Sequence, residues 1–416
     1  SCSPTYALVL ATVLPVSFFV GFINIIAYTI GLSLVLFLIA LFGQKIIIRL
    51  RWAANPHGLF RRILGAIFVL VGLAIIFGLD KKAEIWILDS GFFDVTKIEE
   101  KLLDTLDEDM MEEMKIQKEL PIINKAPDIT GLTNWINSEP INSLEELKGK
   151  VIMVDFWTYS CINCIRTLPA LKSLHKNYSD HGLVILGIHA PEFQFEKKPE
   201  NVQKAVKDFE LKYPIALDNE FATWKSYKNR FWPAKYIIDQ QGFVRYTHFG
   251  EGAYKETEEV IKMLLKADSK DAINKTDIAS PDFEKIGTRE TYIGLKRRKN
   301  FTKNTDLKKG EWTLIGNWNE HDEMAFAKKF PASIKLNFTA ARANLVIGGN
   351  GKAEILIDGQ KANTKNQGAD LQNGELLING NRLYELANFG KEYKDHTIEV
   401  RFIEGEQIEI YAWTFG

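Results

Sequence analysis

Hydrophobic and polar positions along the chain follow several different patterns. Residues 4–43 form one uncharged apolar tract, and residues 63–79 form a second one after a basic loop. A helix that spans a bilayer needs about 20 apolar residues, so the pattern predicts about three transmembrane helices within residues 1–80. Two tracts around a basic loop argue against a cleaved signal peptide, and helices pair their backbone amides inside hydrocarbon.

An acidic segment follows the apolar tracts. Within residues 81–125, apolar side chains recur every four positions from Ile98 to Met114, with carboxylates between them. This period is typical of an amphipathic helix. We therefore expect an acidic, helical linker that holds the next domain away from the membrane.

Apolar runs and helical periods then alternate between residues 126 and 266. The predicted strands are Val151–Phe156, Leu183–His189, Lys235–Asp239 and Phe243–Phe249. The predicted helices are Ile165–Tyr178, Asn201–Phe209 and Glu256–Lys266. Alternating strands and helices indicate an α/β domain whose sheet is covered by helices.

The last pattern consists of short alternating strands in residues 287–416, after a polar linker at 267–286. The predicted strands are Ile334–Phe338, Ala343–Ile347, Ala353–Ile357, Thr397–Phe402 and Gln407–Trp413. Pairs such as Asp358-Gly359 and Asn373-Gly374 are typical of tight turns between strands. Short strands joined by such turns predict an all-β sandwich or jelly roll.

The distribution of charged residues predicts how these segments are oriented across the membrane. The 416 residues carry a formal net charge of −1, which argues against a nucleic-acid-binding protein. Residues 1–44 carry no charged side chain, whereas every charged side chain in residues 45–79 is basic. Because positive loops stay on the cytoplasmic side of a membrane, we expect everything from about residue 81 onward to be extracytoplasmic.

Two of the three cysteines form the motif Cys161-Ile162-Asn163-Cys164 at the start of a predicted helix. Two cysteines at this spacing can close a reversible disulfide. The unpaired amides and the dipole of the helix N-terminus favour a thiolate at Cys161, which makes it the nucleophile. Cys164, one turn further along, then acts as the resolving thiol.

Two other chemistries compete for the same cysteines. Half of a zinc site would need a second pair of ligands, and no histidine repeats at ligand spacing, so we expect no metal. The segment Thr158–Cys161 matches part of the peroxiredoxin signature Pro-x-x-x-Thr-x-x-Cys, but Val154 stands at the proline position. A thiol peroxidase therefore remains a lesser alternative.

The segment Val151–Cys164 resembles thioredoxin-fold proteins, with Asp155 six residues before Cys161. The resemblance implies that Asp155 is a buried acid that exchanges a proton with the resolving thiol. Trp232-Pro233-Ala234 resembles the cis-proline loop of that fold, which implies that Pro233 faces the disulfide. The residues expected along a substrate groove are Trp157, Trp232 and Glu192.

Residues 126–266 resemble the TlpA/ResA-like branch, and the order of the domains resembles the DipZ family. That family joins a CcdA/DsbD-type membrane domain, a thioredoxin domain and a C-terminal domain similar to carbohydrate-binding modules. Ser1-Cys2-Ser3-Pro4 resembles the second cysteine-bearing helix of the membrane domain, which implies a chain without its first three helices. The candidate aromatic platform for an envelope glycan is formed by Trp312, Trp318 and Tyr384.

The resemblance implies a thiol–disulfide oxidoreductase anchored in the inner membrane, with both later domains in the periplasm. Electrons would pass from cytoplasmic thioredoxin through Cys2 to the Cys161–Cys164 pair and on to disulfide substrates such as apocytochrome c. The reversible disulfide would be the redox centre, with no other cofactor. The alternative from another class is a cell-envelope protein that binds glycan or protein, with a redox-inert thioredoxin-like spacer.

Overall fold

The computed structural model of the chain describes residues 120–267 and 281–416. The predicted membrane domain with Cys2, and the predicted helix at 98–114, lie outside the described residues. Within the described ranges, no helix is long and apolar enough to cross a membrane. The chain divides into two compact units, Ser1–Asn124 and Lys125–Gly416, and both domains described below belong to the second unit.

A seven-stranded sheet forms the first domain. Its strands are β1 (Asn124–Lys125), β2 (Thr133–Ile136), β3 (Val151–Trp157), β4 (Leu183–His189), β5 (Ile215–Leu217), β6 (Ala234–Ile238) and β7 (Phe243–Phe249). Their order in the sheet is β1-β7-β6-β3-β4-β5-β2. β3 runs parallel to β4 and antiparallel to β6. The helices are α1 (Ile162–Tyr178), α2 (Pro199–Asp208), α3 (Ala222–Ser226) and α4 (Tyr254–Leu265). This arrangement confirms the α/β thioredoxin fold.

The extent of burial explains why the strands have different hydrophobic patterns in the sequence. All seven residues of β3 are buried, which is typical of a central strand in an α/β sheet. In β7, nearer the edge, buried and partly buried residues alternate. The long elements therefore lie close to the predicted ones, whereas β2, β5 and α3 were not predicted because three to five residues carry too little periodicity.

Helix α1 begins three residues earlier than the sequence predicted. Its N-cap is Cys161, whose sulfur accepts a hydrogen bond from the backbone amide of Cys164 at 3.4 Å. Both cysteines therefore belong to the first turn of α1, where backbone amides are not used within the helix. Immediately before it, β3 ends at Trp157, so the active segment lies where the central strand passes into a helix.

The second domain is all-β, as predicted. Its strands are β8 (Thr291–Tyr292), β9 (Trp312–Glu320), β10 (Ala325–Ala340), β11 (Arg342–Ile357), β12 (Gln360–Lys361), β13 (Leu371–Gln372), β14 (Glu375–Asn379), β15 (Arg382–Asn388) and β16 (Lys394–Phe415). The main path through this sheet is β13-β14-β11-β16-β10-β9. Layering as a sandwich or jelly roll stays a prediction.

The strand count predicted for this domain was wrong in one respect. Ala343–Ile347 and Ala353–Ile357 are two parts of the single strand β11, and Thr397–Phe402 and Gln407–Trp413 are two parts of β16. The β11–β16 pairing shifts register three times, for example between Gly348 and Asn350. Such bulges bend a strand without ending it, so Gly348, Gly349 and Gly351 lie within one continuous strand.

Candidate active site

Cys161 and Cys164 lie at the amino end of α1 with different exposure. Cys161 is partly exposed, Cys164 is fully buried, and both are free thiols. The amide of Cys164 points at the sulfur of Cys161, a contact that is stronger when that sulfur is ionised. The arrangement can therefore use the exposed sulfur for attack and the buried one for resolution.

The buried thiol is held in its protonated form. Burial raises the pKa of Cys164 well above its ordinary value, and the neighbouring Cys161 raises it further. The charge of Asp155 acts in the same direction. Resolution by Cys164 therefore needs a group that removes its proton.

Asp155 is the candidate for that group. The side chain is fully buried in β3, and neither of its carboxylate oxygens has a hydrogen-bond partner within the described ranges. Burial raises its pKa to about 7, an effect that the charge of Lys235 partly offsets. A carboxylate without fixed partners and with this pKa can accept and return a proton near neutral pH.

Lys235 also belongs to the site, although it was not predicted from the sequence. It pairs with Asp155 across β3 and β6 and is almost completely buried. Its ammonium donates a hydrogen bond to the carbonyl of Gly252 at 3.0 Å and lies 5.0 Å from the ring centre of Tyr254. One lysine inside the apolar run of β6 was the available signal, since buried lysines are rare without partners.

The Trp232–Pro233 peptide bond is cis, and Pro233 lies just before β6. The carbonyl of Pro233 accepts a hydrogen bond from the amide of Gly250 at 2.8 Å. The Trp232 indole, which is partly exposed, donates to the carbonyl of Ala190 at 3.0 Å. The cis-proline loop is therefore tied both to the end of β4 and to the connection after β7.

Comparison with known proteins agrees with this geometry. Protein DipZ from Mycobacterium tuberculosis is 32% identical over an alignment that covers 94% of this chain and 58% of the relative. The corresponding protein from Mycobacterium bovis gives the same values. The chain is similar to DipZ along almost its whole length. It spans 58% of the length of these relatives.

Domain-level matches follow the same order. Residues 122–247 match the model of the AhpC/TSA family, and residues 288–416 match that of the thioredoxin-like C-terminal domain. The thiol-disulfide oxidoreductase YkuV from Bacillus subtilis is 26% identical, covering 33% of this chain and 93% of the relative. A solution structure of a thioredoxin-like protein in the oxidized form is 26% identical, covers 34% of this chain and 95% of that chain, and has a TM-score of 0.32. The thioredoxin domain of the chain is thus similar to a thiol–disulfide oxidoreductase.

Two residues expected along the substrate groove have other positions. Trp157 is fully buried, and its ring packs edge-on against His189 at 5.4 Å. Like every other residue of β3, it is buried in the interior of the domain. Glu192 turns toward the β-domain, where it accepts hydrogen bonds from Tyr292 and Arg297, both at 2.8 Å. Of the three candidates, Trp232 remains beside the cis-proline loop.

The aromatic platform predicted for a glycan is not formed as expected. Trp312 and Tyr384 are fully buried, and Trp312 belongs to the core of the β-domain. Trp318 is partly buried and packs edge-on against Phe402 at 5.8 Å. Alternation along the strands turns these rings inward, where each indole or phenol reaches a backbone carbonyl.

A second buried acid, Glu196, lies behind the cysteine loop and was missed by the sequence reading. One carboxylate oxygen accepts a hydrogen bond from the hydroxyl of Ser160 at 2.6 Å, and the other accepts from the amides of Glu192 and Phe193. Burial raises the pKa of Glu196 to about 7. Ser160 directly precedes Cys161, so Glu196 braces the segment that carries the nucleophile.

The β-domain borders the active-site side of the thioredoxin domain. Tyr411 of β16 packs against Phe195 at 4.6 Å and Phe193 at 5.1 Å between ring centres. Nearby, a cavity of about 560 Å³ is lined by Ile162, the residue next to Cys161, and by Arg382 of β15. Among the described residues, no group of three or more metal-ligating side chains is found.

Proposed function

We propose that the chain reduces disulfides in extracytoplasmic proteins through the Cys161–Cys164 pair. The observation that carries this proposal is the pairing of a partly exposed and a buried thiol with an unpartnered buried carboxylate, Asp155, whose pKa is about 7. A nucleophile, a resolving thiol and a proton acceptor are the three groups that thiol–disulfide exchange requires. The similarity to DipZ and to the thiol-disulfide oxidoreductase YkuV supports the same reaction.

The proposed exchange takes place in two steps. The thiolate of Cys161 attacks one sulfur of the substrate disulfide, which forms a mixed disulfide and releases the first substrate thiolate. Asp155 then removes the proton of Cys164, and its sulfur attacks the sulfur of Cys161. The second substrate thiolate leaves, and two electrons have moved from the enzyme dithiol to the substrate.

Regeneration of the dithiol requires a two-electron donor. We propose that this donor is a cytoplasmic thioredoxin that acts through a membrane relay including Cys2, with the thioredoxin and β-domains in the periplasm. The supports are the uncharged tracts, the basic loop between them and the similarity to DipZ over 94% of the chain. Apocytochrome c is the proposed substrate on family resemblance.

The test is a redox titration of the full chain in detergent. The protein is equilibrated with glutathione buffers of graded ratio, its free thiols are alkylated, and the peptide with Cys161 and Cys164 is measured by mass spectrometry. We expect a single two-electron transition and dithiothreitol-driven reduction of insulin. A pair that does not respond to the buffers contradicts the proposal and favours an envelope binding protein, which a glycan array on the same chain then tests.

Thiol peroxidase activity is the second candidate, because residues 122–247 match the AhpC/TSA family. A peroxidase would form a sulfenic acid at Cys161 and then close the disulfide with Cys164. Consumption of hydrogen peroxide by the prereduced chain distinguishes the two activities. We expect the rate constant for insulin reduction to exceed that for peroxide, and the reverse ranking assigns the peroxidase activity instead.

A further inference from the structure

An ion pair outside the proposed catalytic group reaches the dipeptide between the two cysteines. Arg166 of α1 binds Glu251 with two nitrogens, at 2.6 Å from Nη2 and 2.8 Å from Nε. The same Nη2 donates to the side-chain oxygen of Asn163 at 2.6 Å. The two side chains are only 12% and 4% exposed. A two-pronged pair of this kind fixes geometry more firmly than a single contact.

Glu251 lies in the connection between β7 and α4, which also supports the rest of the site. The preceding residue, Gly250, donates its amide to the carbonyl of Pro233 at 2.8 Å. The following residue, Gly252, accepts from the ammonium of Lys235 at 3.0 Å. Three neighbouring residues thus contact the cysteine loop, the cis-proline loop and the lysine opposite Asp155.

We propose that the Arg166–Glu251 pair is a positioning and charge-balancing element for Cys161. It holds the first turn of α1 against the cis-proline loop, and Glu251 neutralises a guanidinium that lies one turn beyond the nucleophile. The proposal rests on the proposed thiol–disulfide exchange and names residues that tune it. Neither side chain touches the reacting sulfurs, so both act through Asn163 and through the field at the helix N-terminus.

The electrostatic part of the proposal predicts that removing the charge of Glu251 and removing the charge of Arg166 have opposite effects on the thiolate of Cys161. Removing the charge of Glu251 leaves the positive charge of Arg166 uncompensated at low exposure, which favours the thiolate of Cys161. Removing the charge of Arg166 leaves a buried carboxylate there, which disfavours the thiolate. If the pair had a purely structural role, replacing either partner would change the reactivity of Cys161 in the same direction.

The experiment measures the alkylation rate of Cys161 by iodoacetamide at pH 6.5 in the prereduced full chain. We expect Glu251→Gln to raise this rate about five- to tenfold and Arg166→Met to lower it by a similar factor. The double variant, which restores neutrality, should return to within about twofold of the unmodified chain. Because Arg166→Met leaves an unpaired buried charge and can impair folding, Glu251→Gln and the double variant decide the question without it.

A matched control lies at the β6–β7 hairpin. Arg245 and Asp239 form a pair at 2.8 Å with side chains 17% and 2% exposed. Asp239→Asn should lower the melting temperature and leave the alkylation rate unchanged. Any of three results overturns this inference. The alkylation rate of Glu251→Gln equals that of the unmodified chain, the rate changes in the same direction in all variants, or the rate changes in Asp239→Asn. A chain that alkylates as expected but never exchanges with glutathione overturns the proposed function and not the ion-pair assignment.

Discussion

Replacing Cys161 with Ser abolishes insulin reduction, whereas replacing Cys164 with Ser leaves the chain joined to its substrate. The partly exposed sulfur of Cys161 is the one that a substrate disulfide can reach. Without it we expect turnover to fall by at least about 10³-fold, because a serine hydroxyl is a far weaker nucleophile than a thiolate. Without Cys164 the first step proceeds and the mixed disulfide has no resolving thiol.

The measurement is a turbidity assay of insulin reduction together with non-reducing electrophoresis. The Cys164→Ser variant should show a covalent adduct that dithiothreitol releases, and the Cys161→Ser variant should show none. Equal melting temperatures establish that both variants are folded. Residual turnover in Cys161→Ser, or an adduct formed through Cys164 instead, contradicts the assignment of the nucleophile.

The long elements of the thioredoxin domain could be predicted because their burial follows their sequence period. β4 and β7 have the predicted bounds, Leu183–His189 and Phe243–Phe249. The start of α1 could not be placed, since cysteine is not among the side chains that usually cap helices. Both cysteines were expected near the helix start from the sequence, and the structure adds that the sulfur of Cys161 itself caps the helix.

Residue type predicted the reactive groups better than it predicted which side chains lie at the surface. Trp157 was expected along a substrate groove and Trp312 and Tyr384 on a glycan platform, yet all three are fully buried. The sequence does not reveal which of two packed domains covers a given face. The same limit applies to Glu192, whose partners Tyr292 and Arg297 lie more than 90 residues away in the chain.

Charged side chains inside the fold were the residues that sequence reasoning missed. Lys235 and Glu196 are almost completely buried, and each is paired with groups from other elements. Their importance depends on burial, because removal from water is what makes a charge costly and its pKa responsive. Asp155 was found only because its spacing from Cys161 resembles a known family.

Replacing Asp155 with Asn slows exchange and removes its dependence on pH around neutrality. In the unmodified chain the carboxylate, with a pKa of about 7, is ionised above that pH and protonated below it. Resolution by Cys164 should therefore speed up as the pH rises through 7. An amide cannot accept the proton, so we expect resolution in Asp155→Asn to be about 10²-fold slower at pH 8. Stopped-flow measurement of the mixed-disulfide decay between pH 5 and 9 gives both rates.

The same substitution should make the folded chain more stable at high pH, which separates a catalytic loss from a damaged fold. An aspartate whose pKa is raised by burial favours the folded state below about pH 4, and this advantage disappears as the pH rises through 7. Asparagine does not ionise, and Lys235 keeps its hydrogen bond to the carbonyl of Gly252. We expect Asp155→Asn to be about 1–3 kcal/mol more stable than the unmodified chain at pH 8, measured by urea unfolding. A slower variant that is also less stable at pH 8 would mean that Asp155 supports packing and does not move the proton of Cys164.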